Sequence, residues 1–207
     1  MNCTIIFPGC VYIKSALSQN EQIELAKLSK AWETQLLPST TTRNRVYDAI
    51  TKFPNADHLL SLCKRLLTEA NRMDKQIIVD NPTHLLFLQY FTARGMGFHS
   101  DNGANDGSAL NPVVSISLGN SCVFSVKHPK TNVRTDITLN SGDVIMFGGD
   151  ARFMYHSVDS VKFDCPDYLI PVIGKVRLNY TLRYAPEILG REGDFKTFNA
   201  TSYSFIK

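Results

Sequence analysis

Val176-Arg177-Leu178-Asn179-Tyr180-Thr181-Leu182-Arg183-Tyr184 alternates strictly between polar and apolar side chains from Arg177 to Arg183. At the two-residue period of a strand, Arg177, Asn179, Thr181 and Arg183 share one face, and Leu178, Tyr180 and Leu182 share the other. In one reading the polar face meets water. In the other it turns into the interior of a barrel, where a guanidinium grips a dicarboxylate through paired, charge-assisted hydrogen bonds. With this chain's residue frequencies, R-x-N-x-T-x-R arises by chance about 0.002 times, which favours the second reading.

The surrounding sequence fits a β-rich body. Between residues 77 and 147, short runs rich in Val, Ile, Phe and Thr alternate with Gly, Asn and Pro breaks: IIV (77–79), HLLFLQYF (84–91), VVSISL (113–118), CVFSV (122–126), DITL (136–139) and DVIMF (143–147). Closely spaced strands with turn signals indicate a sandwich or jelly roll rather than alternating β-α units. Gly119-Asn120 and Ser141-Gly142-Asp143 are the turn candidates. The first third reads as helical. Ser18 and Glu21 form a capping box ahead of Ile23, Leu25, Ala26, Leu28 and Trp32. The tract 36–44 reads as a polar loop. A second helix starts near Asn55, with Leu59, Cys63, Leu66 and Ala70 at three- and four-residue steps. The expected fold is α+β: a double-stranded β-helix (jelly roll) with helices packed from the N-terminal third. One domain is expected over 1–207, with a helical and lid portion at about 1–75, a core at about 76–185 and an extension at 186–207.

Composition narrows the function classes. A hydrophobic fraction of 43% and a charged fraction of 20% are those of a globular protein. A net charge of +3 permits a nucleic-acid partner without demanding one. The five cysteines are dispersed, with no C-x-x-C pair, and read as reduced thiols rather than disulfides or zinc ligands. No signal peptide or membrane span is expected, so the expected location is intracellular, in cytoplasm or nucleus.

His99 and Asp101 stand two residues apart, which in an extended chain puts both side chains on one face. An imidazole and a carboxylate so placed can take adjacent positions on one metal ion. A third ligand from a later strand then completes a two-His, one-carboxylate facial triad with positions left open. Alone the pair is a weak signal, since about 0.3 H-x-D pairs arise by chance in this chain, and both residues could simply hydrogen-bond in a loop. His156, among aromatic and aliphatic neighbours in Phe153-Met154-Tyr155-His156-Ser157-Val158, is the best third ligand; its bland reading is a core histidine satisfied by a carbonyl. His58 and His84 read as structural and His128 as solvated.

Taken together, H-x-D, a distant His and R-x-N-x-T-x-R resemble the AlkB family of nucleic-acid dealkylating oxygenases. Two further segments are similar to that family: Gly148-Gly149-Asp150-Ala151-Arg152-Phe153-Met154-Tyr155-His156, and the serine-bearing Val114-Ser115-Ile116-Ser117-Leu118-Gly119. The resemblance covers about Leu85 to Tyr184. It implies that His99, Asp101 and His156 bind Fe(II) and that Arg177, aided by Asn179 and Tyr90, holds the distal carboxylate of 2-oxoglutarate. It places Arg183 near the metal carboxylate. It also implies O2 as co-substrate, oxidative decarboxylation to succinate, and loss of a hydroxylated N-methyl group as formaldehyde. Two positions depart from the family's pattern: Leu88 replaces a common asparagine, and Gly103 replaces a common acidic residue, Asp106 being the nearest later carboxylate.

The expected substrate is therefore an N-methylated base in single-stranded DNA or RNA, flipped or unpaired so that it can reach the metal. Arg43, Arg45 and Lys52, beside Tyr47 and Phe53, are candidates for a basic, aromatic-bearing lid, with Arg43, Arg45 and Tyr47 the named substrate residues. Lys127, His128, Lys130 and Arg134 offer a second basic edge or an ordinary solvated hairpin. The alternatives are an oxygenase acting on a protein side chain, lipid or small molecule, and a binding module that kept the fold without catalysis. No obligate protein partner is expected, and the chain reads as a monomer. Phe195, Phe198, Tyr203 and Phe205 suggest an extension lying over the sheet.

Overall fold

A computed structural model describes residues 2–40, 42–101 and 111–184 of the chain. Gly103, Asp106 and the C-terminal aromatic residues Phe195, Phe198, Tyr203 and Phe205 lie outside them. The strands are β1 (Asn2–Phe7), β2 (Cys10–Lys14), β3 (Leu37–Thr40), β4 (Arg43–Ala49), β5 (His84–Tyr90), β6 (Arg94–His99), β7 (Val113–Gly119), β8 (Cys122–Lys127), β9 (Arg134–Leu139), β10 (Val144–Phe147), β11 (His156–Val161) and β12 (Arg177–Arg183). The helices are α1 (Gln19–Trp32), α2 (Asp57–Met73) and the short α3 (Ile170–Ile173).

An eight-stranded sheet runs β1-β2-β10-β7-β12-β5-β4-β3, and a four-stranded sheet runs β6-β11-β8-β9. Every pairing between described strands is antiparallel. The fold is a jelly roll.

Period-two alternation divides the large sheet between two cores. Leu85, Phe87, Val114, Ile116, Leu118, Val144, Met146, Leu178, Tyr180 and Leu182 join the buried residues of α1 and α2 on one face. Leu88, Tyr90, Val113, Ile145 and Phe147 turn to the other face and meet Phe124, Val126, Ile137 and Val158 of the small sheet. Trp32 closes the helical core. It is fully buried, its Nε1 donates to Pro54 O at 2.9 Å, and it meets Phe53, Phe87 and Tyr180 edge-on.

The expected elements mostly form, with differences in the first third. The capping box of Ser18 and Glu21 is present at the start of α1, and α2 begins at Asp57. The segment 2–14 forms a hairpin whose Pro8-Gly9 turn uses Gly9 at φ +82°. The tract 36–44, expected as a loop, contributes β3 and the start of β4. Its residues lack an apolar alternation; β3 is the sheet's edge strand and pairs with β4, which in turn pairs with β5, so pairing decides the conformation. The run 77–79, expected as a strand, is not one. Ile77 alone is buried, and its carbonyl accepts from Asn71 Nδ2 instead of a neighbouring strand.

Trp32→Ala is expected to cost about 3–5 kcal/mol, as large aromatic-to-alanine changes in cores do. Urea denaturation followed by circular dichroism measures it; a loss under 1 kcal/mol, on the order of a surface change, would mean the helical core does not depend on this side chain.

Candidate active site

The inner face of β12 lies over the small sheet, between β7 and β5. Register places Arg177 opposite Tyr90 and Gly119, Asn179 opposite Leu88 and Ser117, and Thr181 opposite Leu86 and Ser115. The rows extend across β5 into β4, where Arg43 stands opposite Tyr90, Arg45 opposite Leu88 and Tyr47 opposite Leu86. Arg43, Arg45 and Tyr47 therefore continue the same face outward. The cleft between the sheets, about 420 Å³ including its open mouth, is lined by His99, Asp101, His156, Tyr90, Arg177, Asn179, Thr181 and Arg183 among others. That size suits a small diacid and one reacting group.

Two strands of the small sheet bring the histidines together. β6 and β11 pair antiparallel with His99 directly opposite His156, and their ring centroids are 4.3 Å apart. Gly95 permits the approach of the two strands. A Cβ there would fall 1.7 Å from Val158 O, whereas one at Gly97 would meet nothing within 4 Å. Asp101, two residues past His99, places Oδ1 at 3.9 Å from Nε2 of each histidine. The three donor atoms lie within 4.8 Å of one another, close enough that they could hold one metal ion.

The protonation pattern suits a cation. His99 Nδ1 faces Gly97 O at 3.0 Å, and His156 Nδ1 faces Met154 O at 3.2 Å. A carbonyl only accepts, so each Nδ1 carries the proton and each Nε2 offers its lone pair to the centre. Burial among Phe124 and Phe147 pushes the His156 imidazole down to about 4, so it is neutral near pH 7. Burial alone would raise the Asp101 carboxyl, but Arg183, with His156, His99 and Arg152, outweighs it and holds the group below its usual range. Arg183 Nη2 donates to Asp101 Oδ1 at 2.6 Å.

Arg177 is 1% exposed, and its Nη2 donates to Ser117 Oγ at 3.2 Å. Its Nε and Nη1 find no partner among the described residues. Leaving such donors unmet costs on the order of 1–3 kcal/mol each, so this guanidinium is built to receive an anion. Tyr90, 1% exposed, stands beside it on β5. Asn179 lines the cleft with its amide already engaged: Nδ2 donates to Ser115 Oγ at 2.8 Å and to Ile116 O at 3.1 Å, and Oδ1 accepts from Thr181 Oγ1 at 2.8 Å.

The remaining candidates fall away from the cleft. His58 Nε2 lies 3.6 Å from Glu24 Oε2 on the helical side. His84 is buried opposite Arg183, with Nδ1 at 3.0 Å from Thr83 Oγ1. His128 is half-buried rather than solvated, its Nδ1 accepting from the backbone N–H groups of Lys130 and Thr131. Lys52 pairs with Asp48 and Lys130 with Asp150. Arg134 is committed to Asp136 and Asp159, and Lys127 sits over the Phe98 ring. The second basic edge is thus largely neutralised. Sequence reasoning gave no role to Ser117, Ser115 or Arg152; the signal for Arg152 is a lone charge inside an otherwise apolar stretch leading to His156.

A model of the 2OG-Fe(II) oxygenase superfamily matches residues 10–183. The chain belongs to that superfamily. Membership brings Fe(II), 2-oxoglutarate and O2 as the cofactor set, and the donors described fit it: two imidazoles and a carboxylate for the metal, an unmatched guanidinium for a carboxylate. The AlkB-like character of this 2OG-Fe(II) oxygenase shows in its relatives. Over 126 residues it is 31% identical to the alpha-ketoglutarate-dependent dioxygenase AlkB of Escherichia coli, covering 60% of this chain and 53% of that protein. It is 32% identical over 106 residues to the DNA N(6)-methyladenine demethylase ALKBH1C of Arabidopsis thaliana, covering 48% of this chain and 23% of the relative. The chain thus spans about half the length of the bacterial relative and less of the plant one. The solved structure of OsALKBH1 superposes with a TM-score of 0.73 at 20% identity, over 88% of this chain and 99% of that one, a likeness of fold.

Gly95→Ala is expected to push β6 from β11, costing about 1–3 kcal/mol and weakening retention of a divalent ion. Gly97→Ala, facing open space, is expected to stay within about 0.5 kcal/mol of the parent. Denaturant midpoints and metal titrations of the two variants, run side by side, check the contrast; equal behaviour would contradict it.

Proposed function

We propose that this chain is an Fe(II)- and 2-oxoglutarate-dependent dioxygenase that demethylates N-methylated bases in single-stranded DNA or RNA. One observation carries the reading: the His99–Asp101–His156 cluster and the unmatched donors of Arg177 open into the same cleft. A binding module has no use for a buried, unsatisfied guanidinium beside three metal donors.

In this reading His99, Asp101 and His156 hold iron, and Arg177 clasps the distal carboxylate of 2-oxoglutarate with Ser117 fixing its plane and Tyr90 beside it. Asn179 keeps Ser115 and Thr181 in place along the same strand pair. Arg183 steadies the Asp101 carboxylate so that its charge is balanced before metal arrives. When bound, iron couples decarboxylation of the diacid to succinate with hydroxylation of a substrate C–H bond, and a hydroxymethyl group on nitrogen leaves as formaldehyde. The apolar walls, Leu86, Leu88, Val113, Phe124 and Phe147, keep water from the reacting groups. The protein's contribution is placement and shielding.

The substrate class rests on the outer wall and on the relatives' activities. Arg43 and Arg45 lie on the cleft side with the Tyr47 ring, itself in contact with His84 and Arg183, on the same face, as single-stranded nucleic-acid sites combine charge with an aromatic ring. An exposed acidic or wholly apolar wall would favour a peptide or lipid instead. We further propose one domain across 1–207, acting as a monomer. Free thiols, four of the five buried, suit a reducing compartment such as cytoplasm or nucleus. None of the described helices is long and apolar enough to cross a membrane.

The test is succinate and formaldehyde release with Fe(II) and 2-oxoglutarate over a panel of methylated oligonucleotides, free nucleosides and peptides. Methylated single strands are expected to stimulate both products, and Asp101→Ala to abolish them. Arg177→Met is expected to weaken 2-oxoglutarate binding by about 100-fold, the worth of two charge-assisted hydrogen bonds at the low end. Succinate stimulated by peptides or small molecules alone would overturn the nucleic-acid assignment; no iron-dependent succinate from folded protein would overturn the oxygenase.

A further inference from the structure

We infer that Arg152 is a positioning residue of the metal site, holding Asp101 in place through its backbone; the inference rests on reading His99, Asp101 and His156 as metal ligands. Arg152 is 1% exposed, among the largest fully buried side chains of the protein. Its Nη1 donates to Asp101 O at 3.1 Å and its Nε to Asn111 O at 2.8 Å, while the guanidinium lies 5.1 Å from the Phe153 ring. A buried guanidinium costs heavily unless acceptors meet it in fixed directions, and here two backbone carbonyls do.

The placement matters because Asp101 lies beyond the end of β6. Among the described residues no strand partner meets its carbonyl, so the bonds that do meet it bear on its backbone orientation and with it the direction of the carboxylate. Arg152 sets it at the carbonyl, and Arg183 sets the other end through Oδ1 at 2.6 Å. The same two segments are joined at each intervening step. His99 stands opposite His156, Ser100 Oγ donates to Phe153 O at 2.9 Å, and Asp101 O receives Arg152. Residues 99 to 101 are thus tied in order to 156, 153 and 152. One segment supplies both the third ligand and the clamp on the second.

The turn that presents Arg152 is itself anchored. Gly149, at φ +49°, lies where a Cβ would come within 2.4 Å of Gln76 Oε1, and that oxygen accepts from Asp150 N at 2.8 Å. The turn therefore sits on a fixed support, and the arginine it carries reaches inward rather than to solvent.

The experiment measures binding of Mn(II), a redox-inert stand-in for Fe(II), from the free-ion EPR signal, with 2-oxoglutarate present. Wild type, Arg152→Met, Arg152→Lys and Leu66→Ala are compared, the last being a core change in α2 remote from the cleft. Arg152→Met is expected to lose about 10–100-fold in Mn(II) affinity, as loss of an outer partner of a metal ligand does. Arg152→Lys, with one point donor for two carbonyls, is expected to lose about 3–10-fold, and Leu66→Ala to stay within about twofold despite its lower stability. Wild-type affinity in Arg152→Met, with only stability reduced, would overturn the inference. Should that variant not fold, Arg152→Lys decides alone: a loss in that range supports the positioning role and unchanged affinity overturns it. Wild-type protein that binds no Mn(II) would instead sink the assignment of the triad, separately from anything Arg152 does.

Discussion

A guanidinium removed from water with two of its donors unmet is expensive, and the interior of this jelly roll is organised around that cost. Arg177 sits at the centre of the large sheet, on a strand whose alternate residues feed the helical core. Moving it to solvent would need a one-residue slip of β12, which would also drive Leu178, Tyr180 and Leu182 out of that core. The apolar face thus compels the polar face inward, where an anion in the cleft would meet the two open donors of Arg177. Stability of the helical side and chemistry on the inner side are two consequences of one register.

The metal site obeys a second constraint, the distance between two backbone segments. β6 and β11 come close because Gly95 has no side chain, and their register sets His99 against His156. Beyond the strand ends, side-chain to backbone bonds take over the spacing that the sheet no longer controls. Each imidazole is then oriented by the carbonyl two residues before it, so that neither ring is free to choose its tautomer. Ligand geometry follows from sheet pairing, from a few outer bonds, and from apolar packing around His156.

Much of this was legible in the sequence because period-two patterns survive into the structure unchanged. The R-x-N-x-T-x-R alternation announced a strand with two unlike faces, and H-x-D announced an imidazole and a carboxylate close together. The capping box at Ser18 fixed the start of the first helix for purely local reasons. What stayed hidden depends on pairing at a distance. β4 carries polar residues on both faces and forms because β5 lends it a partner, and β3 then pairs with β4 at the edge. The run at 77–79 is apolar enough for a strand but meets no free backbone. Arg152 was visible as a letter in a matched segment, yet its acceptors lie 41 and 51 residues away and no local pattern points to them. At the departure from the family pattern, Leu88 lines the cleft as an apolar wall beside the open donors of Arg177.

The most direct measurement is a crystal structure of the protein soaked anaerobically with Mn(II) and 2-oxoglutarate. The account requires a single ion bound by His99 Nε2, His156 Nε2 and an Asp101 carboxylate oxygen, with the far carboxylate of the diacid paired to Nε and Nη1 of Arg177. An ion held elsewhere, or a diacid bound with those two nitrogens still unmet, would contradict it.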